Sequence, residues 1–158
     1  MNTIINTRII NADLETVWEQ IVDVTLIKNW HPGVATTDQI SEHAIGVGAV
    51  RRCNFYDGSE AVEEVIALTG NHRMKINIRE FKAPMKKFES TWELRTTSSG
   101  STQVTITTEY EMKLNVLGSL LDILVIRGRM PKLINKVLAG LDHHIMSGEF
   151  IDKTFSVV

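Results

Sequence analysis

The chain has 158 residues, 43% apolar and 23% charged, with a formal net charge of −2. A chain of this length buries roughly two thirds of the surface it exposes when unfolded, so one domain over residues 1–158 with a full core is expected. The near-neutral charge gives no general pull toward nucleic acid, and the lone Cys53 excludes an internal disulfide.

Thr3 to Ile10 alternates and is rich in β-branched residues, which predicts a strand. The start MNTIINTRII lacks a basic segment followed by an apolar one, so no signal peptide is expected and the predicted location is cytoplasmic. Asn11-Ala12-Asp13 supplies helix-capping side chains, and Leu14, Val17, Trp18 and Ile21 share one helical face. A second short turn of helix, around Thr25 to Asn29, ends at Trp30-His31-Pro32-Gly33, where proline and glycine stop it.

Strands separated by turn signals follow: Ala35 to Glu42, Ala49 to Tyr56, Glu60 to Thr69, His72 to Phe81, Lys87 to Thr96 and Thr102 to Leu114. The period then becomes helical. Leu117, Leu120, Leu121, Leu124 and Val125 form one stripe, which Gly128 and Pro131 are expected to interrupt. A longer helix follows, with Leu133, Ile134, Val137, Leu138, Leu141 and Ile145 on its apolar side. Seven antiparallel strands with helices gathered on one face make an α+β fold.

Alternation sorts side chains by face. If Tyr56 and Glu60 flank the turn Asp57-Gly58-Ser59, Phe55 lies opposite Ala61, Cys53 opposite Glu63 and Arg51 opposite Val65. One face then carries Arg51, Cys53, Phe55, Ala61, Glu63 and Val65, the other Arg52, Asn54, Tyr56, Val62, Glu64 and Ile66, and composition does not choose between them. Later strands alternate more clearly. Met74, Ile76 and Ile78 share a face, as do Phe88, Ser90, Trp92 and Leu94, and Val104, Ile106, Thr108, Tyr110 and Met112. These are core or cavity wall. His144 shares the stripe of Val137 and Leu141, and His143 is turned away from it by roughly 100°.

VWEQIVDVTLIKNWHPGV, GVGAVRR and DGSEAVEEVIAL, in that order, resemble the polyketide cyclase/dehydrase and lipid-transport branch of the START-like (SRPBCC) superfamily. The resemblance implies a helix-grip fold: a curved seven-stranded antiparallel sheet wrapped around a long C-terminal helix, with two short helices after the first strand. It also implies an apolar cavity between sheet and helix, toward which Arg51 and Glu63 point. The apolar segment LNVLGSLLDILVIRGRMP departs from the usual pattern.

On this reading the partner is a small apolar ligand, lipid, polyketide or isoprenoid in character. The expected lining is Trp30, His31, Arg51, Cys53, Phe55, Glu63, Met74, Ile76, Phe88, Trp92, Tyr110, Val137, Leu141 and His144. The turn at Asp57-Gly58 and the loop at Ala83-Pro84 would gate it. A second reading is an enzyme of the cyclase or dehydratase kind. Glu63 or His144 would be its base and Arg51 or Tyr110 would stabilise the enolate oxygen. The histidines and the cysteine are scattered without ligand spacing, so no metal and no cofactor is expected. Arg127, Arg129, Lys132 and Lys136 follow LLDILVI; they are the charged outer face of a cap over the cavity or a surface for transient membrane contact.

Overall fold

The computed structural model describes residues 1–113, 120 and 122–157. The elements in chain order are β1 (Asn2–Ile10), α1 (Leu14–Val22), α2 (Ile27–Trp30), β2 (Val34–Gln39), β3 (Val50–Phe55), β4 (Glu60–Thr69), β5 (Arg73–Arg79), β6 (Met85–Thr96) and β7 (Thr102–Met112). A π-helical turn, Asp122–Ile126, then leads directly into α3, Arg127–Ser147. The strands form one curved antiparallel sheet in the order β1-β7-β6-β5-β4-β3-β2.

Local chemistry accounts for the boundaries. Asp13 caps α1 by accepting a hydrogen bond from the Thr16 N–H at 2.8 Å, and that bond holds its carboxyl below the usual range. β2 stops at Gln39, short of the expected Glu42. The Ser41 hydroxyl takes the Val50 N–H at 2.8 Å and donates to the His43 carbonyl at 2.6 Å, replacing ladder bonds. α3 ends at Gly148, whose φ of 75° lets its N–H reach the His144 carbonyl at 2.8 Å.

Two expectations need correction. The Asp57 carboxylate accepts from both the N–H and the hydroxyl of Ser59, so the hairpin closes between Phe55 and Ser59 rather than between Tyr56 and Glu60. The register moves by two residues: Cys53 lies opposite Ala61, and Arg51 directly opposite Glu63. A shift of two leaves every face assignment intact. The second correction concerns Gly128 and Pro131, which do not break the helix; α3 runs through both. Pro131 is in its second turn, so the intrahelical donor it removes is one that would meet the Arg127 carbonyl, close to the start of α3. Of the proposed earlier stripe, Leu117 and Leu121 lie outside the described residues, and Leu120, Leu124 and Val125 are exposed.

α3 runs parallel to β1 and is clamped to it along its length. Asn2 accepts from Arg127 at 2.7 Å, Asn6 donates to Asn135 at 2.7 Å and to the Pro131 carbonyl at 3.1 Å, and Arg8 pairs with Asp142 at 2.7 Å. Over this stretch six strand residues and fifteen helical ones both advance by about 20 Å, so the two ladders keep step. At its other end α3 meets the loop after α2 through Gly140. A Cβ there would press on the Trp30 carbonyl oxygen and lie 3.1 Å from Pro32 Cδ. The main core packs Val17, Trp18 and Ile21 of α1, Trp30, and Leu138 and Leu141 of α3 against the inward face of the sheet.

Candidate functional site: a cavity under the terminal helix

Between the concave face of the sheet and α3 lies a cavity of about 590 Å³, within the usual range for sites that take a small organic molecule. Its wall is largely apolar, with Ile76, Phe88, Trp92 and Ile106 from the sheet facing Ile134 and Val137 of α3. Asp57, Phe81, Lys82 and Ala83, from the turn and loop expected to gate it, also line it.

The corner Trp30-His31-Pro32-Gly33 borders this space. Trp30 is buried, donates its indole N–H to the Gln20 carbonyl at 3.0 Å, and meets Trp92 edge to face at 5.9 Å between ring centroids. It therefore acts mainly as a plug with one side on the cavity. His31 is different. Its Nδ1 accepts the Gly33 N–H at 3.0 Å, so the neutral ring carries its proton on Nε2, which has no partner among the described residues. The accessible part of the ring faces the cavity.

Burial pulls the His31 pKa from 6.5 down to about 4; the Arg51 charge adds to this and the Glu63 charge opposes it. A depressed histidine pKa means that the unfolded chain takes up a proton first. The contribution of neutral His31 is complete above about pH 6.5 and is lost as pH falls toward 4, at a full cost of ~3 kcal/mol. In a His31→Asn variant the amide oxygen can still accept the Gly33 N–H, as in an Asx turn, but does not titrate. Denaturant midpoints of this variant should fall less than those of the parent between pH 6.5 and pH 4. Parallel curves would disprove the burial of His31.

Arg51 is 3% exposed. Its Nε donates to Glu63 Oε2 at 2.7 Å, its Nη2 pairs with the same oxygen, and its Nη1 donates to the Val24 carbonyl at 3.2 Å. Burial alone would lower the guanidinium pKa, but the Glu63 charge and hydrogen bond outweigh it, so Arg51 stays charged. These bonds tie the guanidinium to the Glu63 carboxylate, which already balances the positive charge that an oxyanion would need. Because both Glu63 contacts fall on Oε2, Oε1 remains as an acceptor. The polar corner thus presents an acceptor, Glu63 Oε1, and a donor, His31 Nε2–H. That pair suits a ligand hydroxyl, which both donates and accepts; a carboxylate would be repelled by Glu63.

Trp30, His31, Arg51, Phe55, Glu63, Ile76, Phe88, Trp92 and Val137 of the expected lining do border the cavity. Five residues do not. Met74 and Leu141 are buried in the main core, and Tyr110 packs in a separate cluster with Met85 and Ile126. Cys53 is buried, and burial followed by the Glu63 charge pushes its thiol up to about 12, so it is no nucleophile near neutral pH. His144 lies near the end of α3, with Nδ1 2.7 Å from the Glu149 carbonyl oxygen and its ring stacked on Phe150. Ser90 and Thr108, placed by alternation on faces that form core or cavity wall but not among the expected ligand contacts, also line the cavity. A small polar residue at an inward strand position was the available signal. Among the described residues no cluster of three His, Cys, Asp or Glu side chains could hold a metal ion, and no helix is long and apolar enough to cross a membrane.

Solved structures share the fold. TTHA0849 from Thermus thermophilus superposes with a TM-score of 0.73 at 19% identity, covering 93% of this chain and 99% of that one. XoxI from Bacillus cereus gives 0.73 at 13% identity over 93% and 97% of the two chains. Major latex-like protein 151 from Panax ginseng gives 0.70 at 17% identity over 90% and 96%. No curated protein matches the sequence. The family model for polyketide cyclase/dehydrase and lipid transport matches residues 1–145, nearly the whole chain, and its helix-grip architecture is the one described above. The chain belongs to the polyketide cyclase/dehydrase and lipid-transport family.

Proposed function

We propose that the chain is a single ligand-binding domain that holds and carries a small apolar molecule, of lipid, polyketide or isoprenoid character, between its sheet and α3. The observation that carries this reading is the apolar cavity of about 590 Å³ with one polar corner, Glu63 and His31. Its apolar wall supplies affinity and the corner orients one hydroxyl, the usual division of labour in such sites. Exposed Leu124, Val125 and Leu133, with Arg127, Arg129, Lys132 and Lys136 near them in sequence, suit pickup of that cargo from a membrane surface.

The cyclase or dehydratase reading is weaker. Of its proposed groups His144 and Tyr110 do not line the cavity, and Arg51 is bonded to Glu63 and the Val24 carbonyl. Glu63 is then left with neutral His31 as its neighbour at that corner, a hydrogen-bond donor that holds no extra proton to give up near neutral pH.

Native mass spectrometry of the protein from its source, with identification of what denaturation releases, should yield a stoichiometric apolar passenger bearing a hydroxyl. For recombinant protein, N-phenylnaphthylamine titrated against tryptophan fluorescence should bind one per chain, since Trp30 and Trp92 border the cavity. Ala61→Phe, which fills part of that space, should weaken binding about tenfold or more, a loss of ~1.4 kcal/mol. Unchanged binding by that variant would overturn the reading.

A further inference from the structure

Farther along the same sheet from the Arg51–Glu63 pair are two hydroxyls that the protein does not itself use. Ser90 of β6 and Thr108 of β7 are direct cross-strand partners, both line the cavity, and they are 8% and 2% exposed. Among the described residues neither hydroxyl has a protein hydrogen-bond partner, and neither oxygen is sealed from the cavity. Their cavity-lining neighbours Ile76, Phe88, Trp92 and Ile106 are apolar. A hydroxyl that the protein leaves unpaired and that opens into an otherwise apolar cavity finds its partner only in what occupies that cavity. Two such groups side by side therefore point to something that enters the cavity.

Register places them relative to the first polar corner. Glu63 pairs with Ile78 on β5, Ile76 pairs with Ser90 on β6, and Ser90 pairs with Thr108 on β7. Two strand spacings and an offset of two residues separate Glu63 from Ser90 by ~12 Å along the sheet. Of the cations that line the cavity, Arg51 is bonded to Glu63, and Lys82 and Lys153 come from the loop after β5 and from the C-terminal segment, not from β6 or β7. The group that fits here is a neutral oxygen.

We propose that Ser90 and Thr108 form a second polar subsite, which takes a neutral hydroxyl or carbonyl at the far end of a rigid apolar ligand whose first hydroxyl sits between His31 and Glu63. This deepens the ligand-carrier reading and rests on it. The ligand class is a flat molecule with an oxygen at each end, not a fatty acid or a phosphorylated lipid.

Three probes of one shape separate the possibilities: stilbene, para-hydroxystilbene and para,para′-dihydroxystilbene, each titrated by quenching of tryptophan fluorescence. The unmodified protein should bind the dihydroxy compound about tenfold more tightly than the monohydroxy one, the worth of roughly one good hydrogen bond. In Ser90→Ala/Thr108→Val that preference should vanish, because the dihydroxy compound loses its second contact. A preference that survives in the variant, or is missing from the unmodified protein, overturns the subsite and leaves the carrier reading standing. Failure of all three probes where N-phenylnaphthylamine still binds overturns the subsite alone, and failure of N-phenylnaphthylamine as well overturns the carrier reading. The melting temperature of the ligand-free variant should equal or exceed that of the parent, because neither hydroxyl bonds to the protein. A clear fall would show instead that these hydroxyls support the sheet, and would also overturn the proposal.

Discussion

Replacing Arg51 with methionine is expected to destabilise the protein by about 3–5 kcal/mol, because the change removes a buried cation and leaves its carboxylate behind. The Arg51 and Glu63 side chains are 4% and 14% exposed, face each other across β3 and β4, and share two contacts at one oxygen. Methionine roughly matches the arginine stem in volume, so the loss reports charge and hydrogen bonding more than packing. The Val24 carbonyl also loses its Arg51 donor, which adds to the cost. Urea midpoints at constant slope provide the measurement. The informative companion is Arg51→Met/Glu63→Leu, which removes both charges and should recover most of the loss, within ~1 kcal/mol of the parent. A single variant costing less than ~1 kcal/mol would mean that water reaches the pair as it reaches a surface salt bridge.

The second large effect is at Gly140. Changing glycine to alanine inside a helix ordinarily gains ~1 kcal/mol. Here the added methyl would meet the Trp30 carbonyl oxygen and the Pro32 ring, with Pro32 Cγ at 3.3 Å, and neither is a flexible side-chain end. Gly140→Ala should therefore cost ~1–3 kcal/mol, the penalty for overpacking a close contact. Gly128 serves as the control: nothing lies within 4 Å of its would-be Cβ, so Gly128→Ala should gain part of the ordinary helical increment. Thermal unfolding of the two variants should move in opposite directions. Binding should weaken only in Gly140→Ala, because moving the Trp30–Pro32 corner moves His31. Equal shifts would mean that α3 does not bear on the corner.

Much of the fold was legible because its signals were local. β4 has the bounds its pattern predicts, Glu60–Thr69, and α1 has the face and cap expected of it. The hairpin register was misjudged by two because the side-chain bonds of Asp57 decide where the turn closes, which strand alternation does not encode. For the site, alternation reports which face a residue is on, not how deep it lies along the groove. Met74, Tyr110 and Leu141 are buried like the true lining, yet lie where packing is complete. His144 has the helical phase of Val137, but near its end the helix has passed the cavity and the ring stacks on Phe150. Ser90 and Thr108 carried the opposite signal, inward polarity in an apolar row, and their value depends on a lack of partners that only the folded chain reveals.

The pairing of the first strand with the last has a consequence for synthesis. Asn2 pairs with Tyr110 and Ile10 with Thr102, so β1 waits for about 100 further residues before its ladder exists. At the usual pace of translation, ~5–20 residues per second, that is roughly 5–20 s during which a β-prone, isoleucine-rich segment is outside the ribosome unpaired. Ile5 and Ile9 remain exposed even in the finished protein. β2 through β6 can zip as successive hairpins while the chain emerges, but the edge that α3 clamps is assembled last. Aggregation of newly made chains should therefore depend on β1 more than on any strand near the cavity.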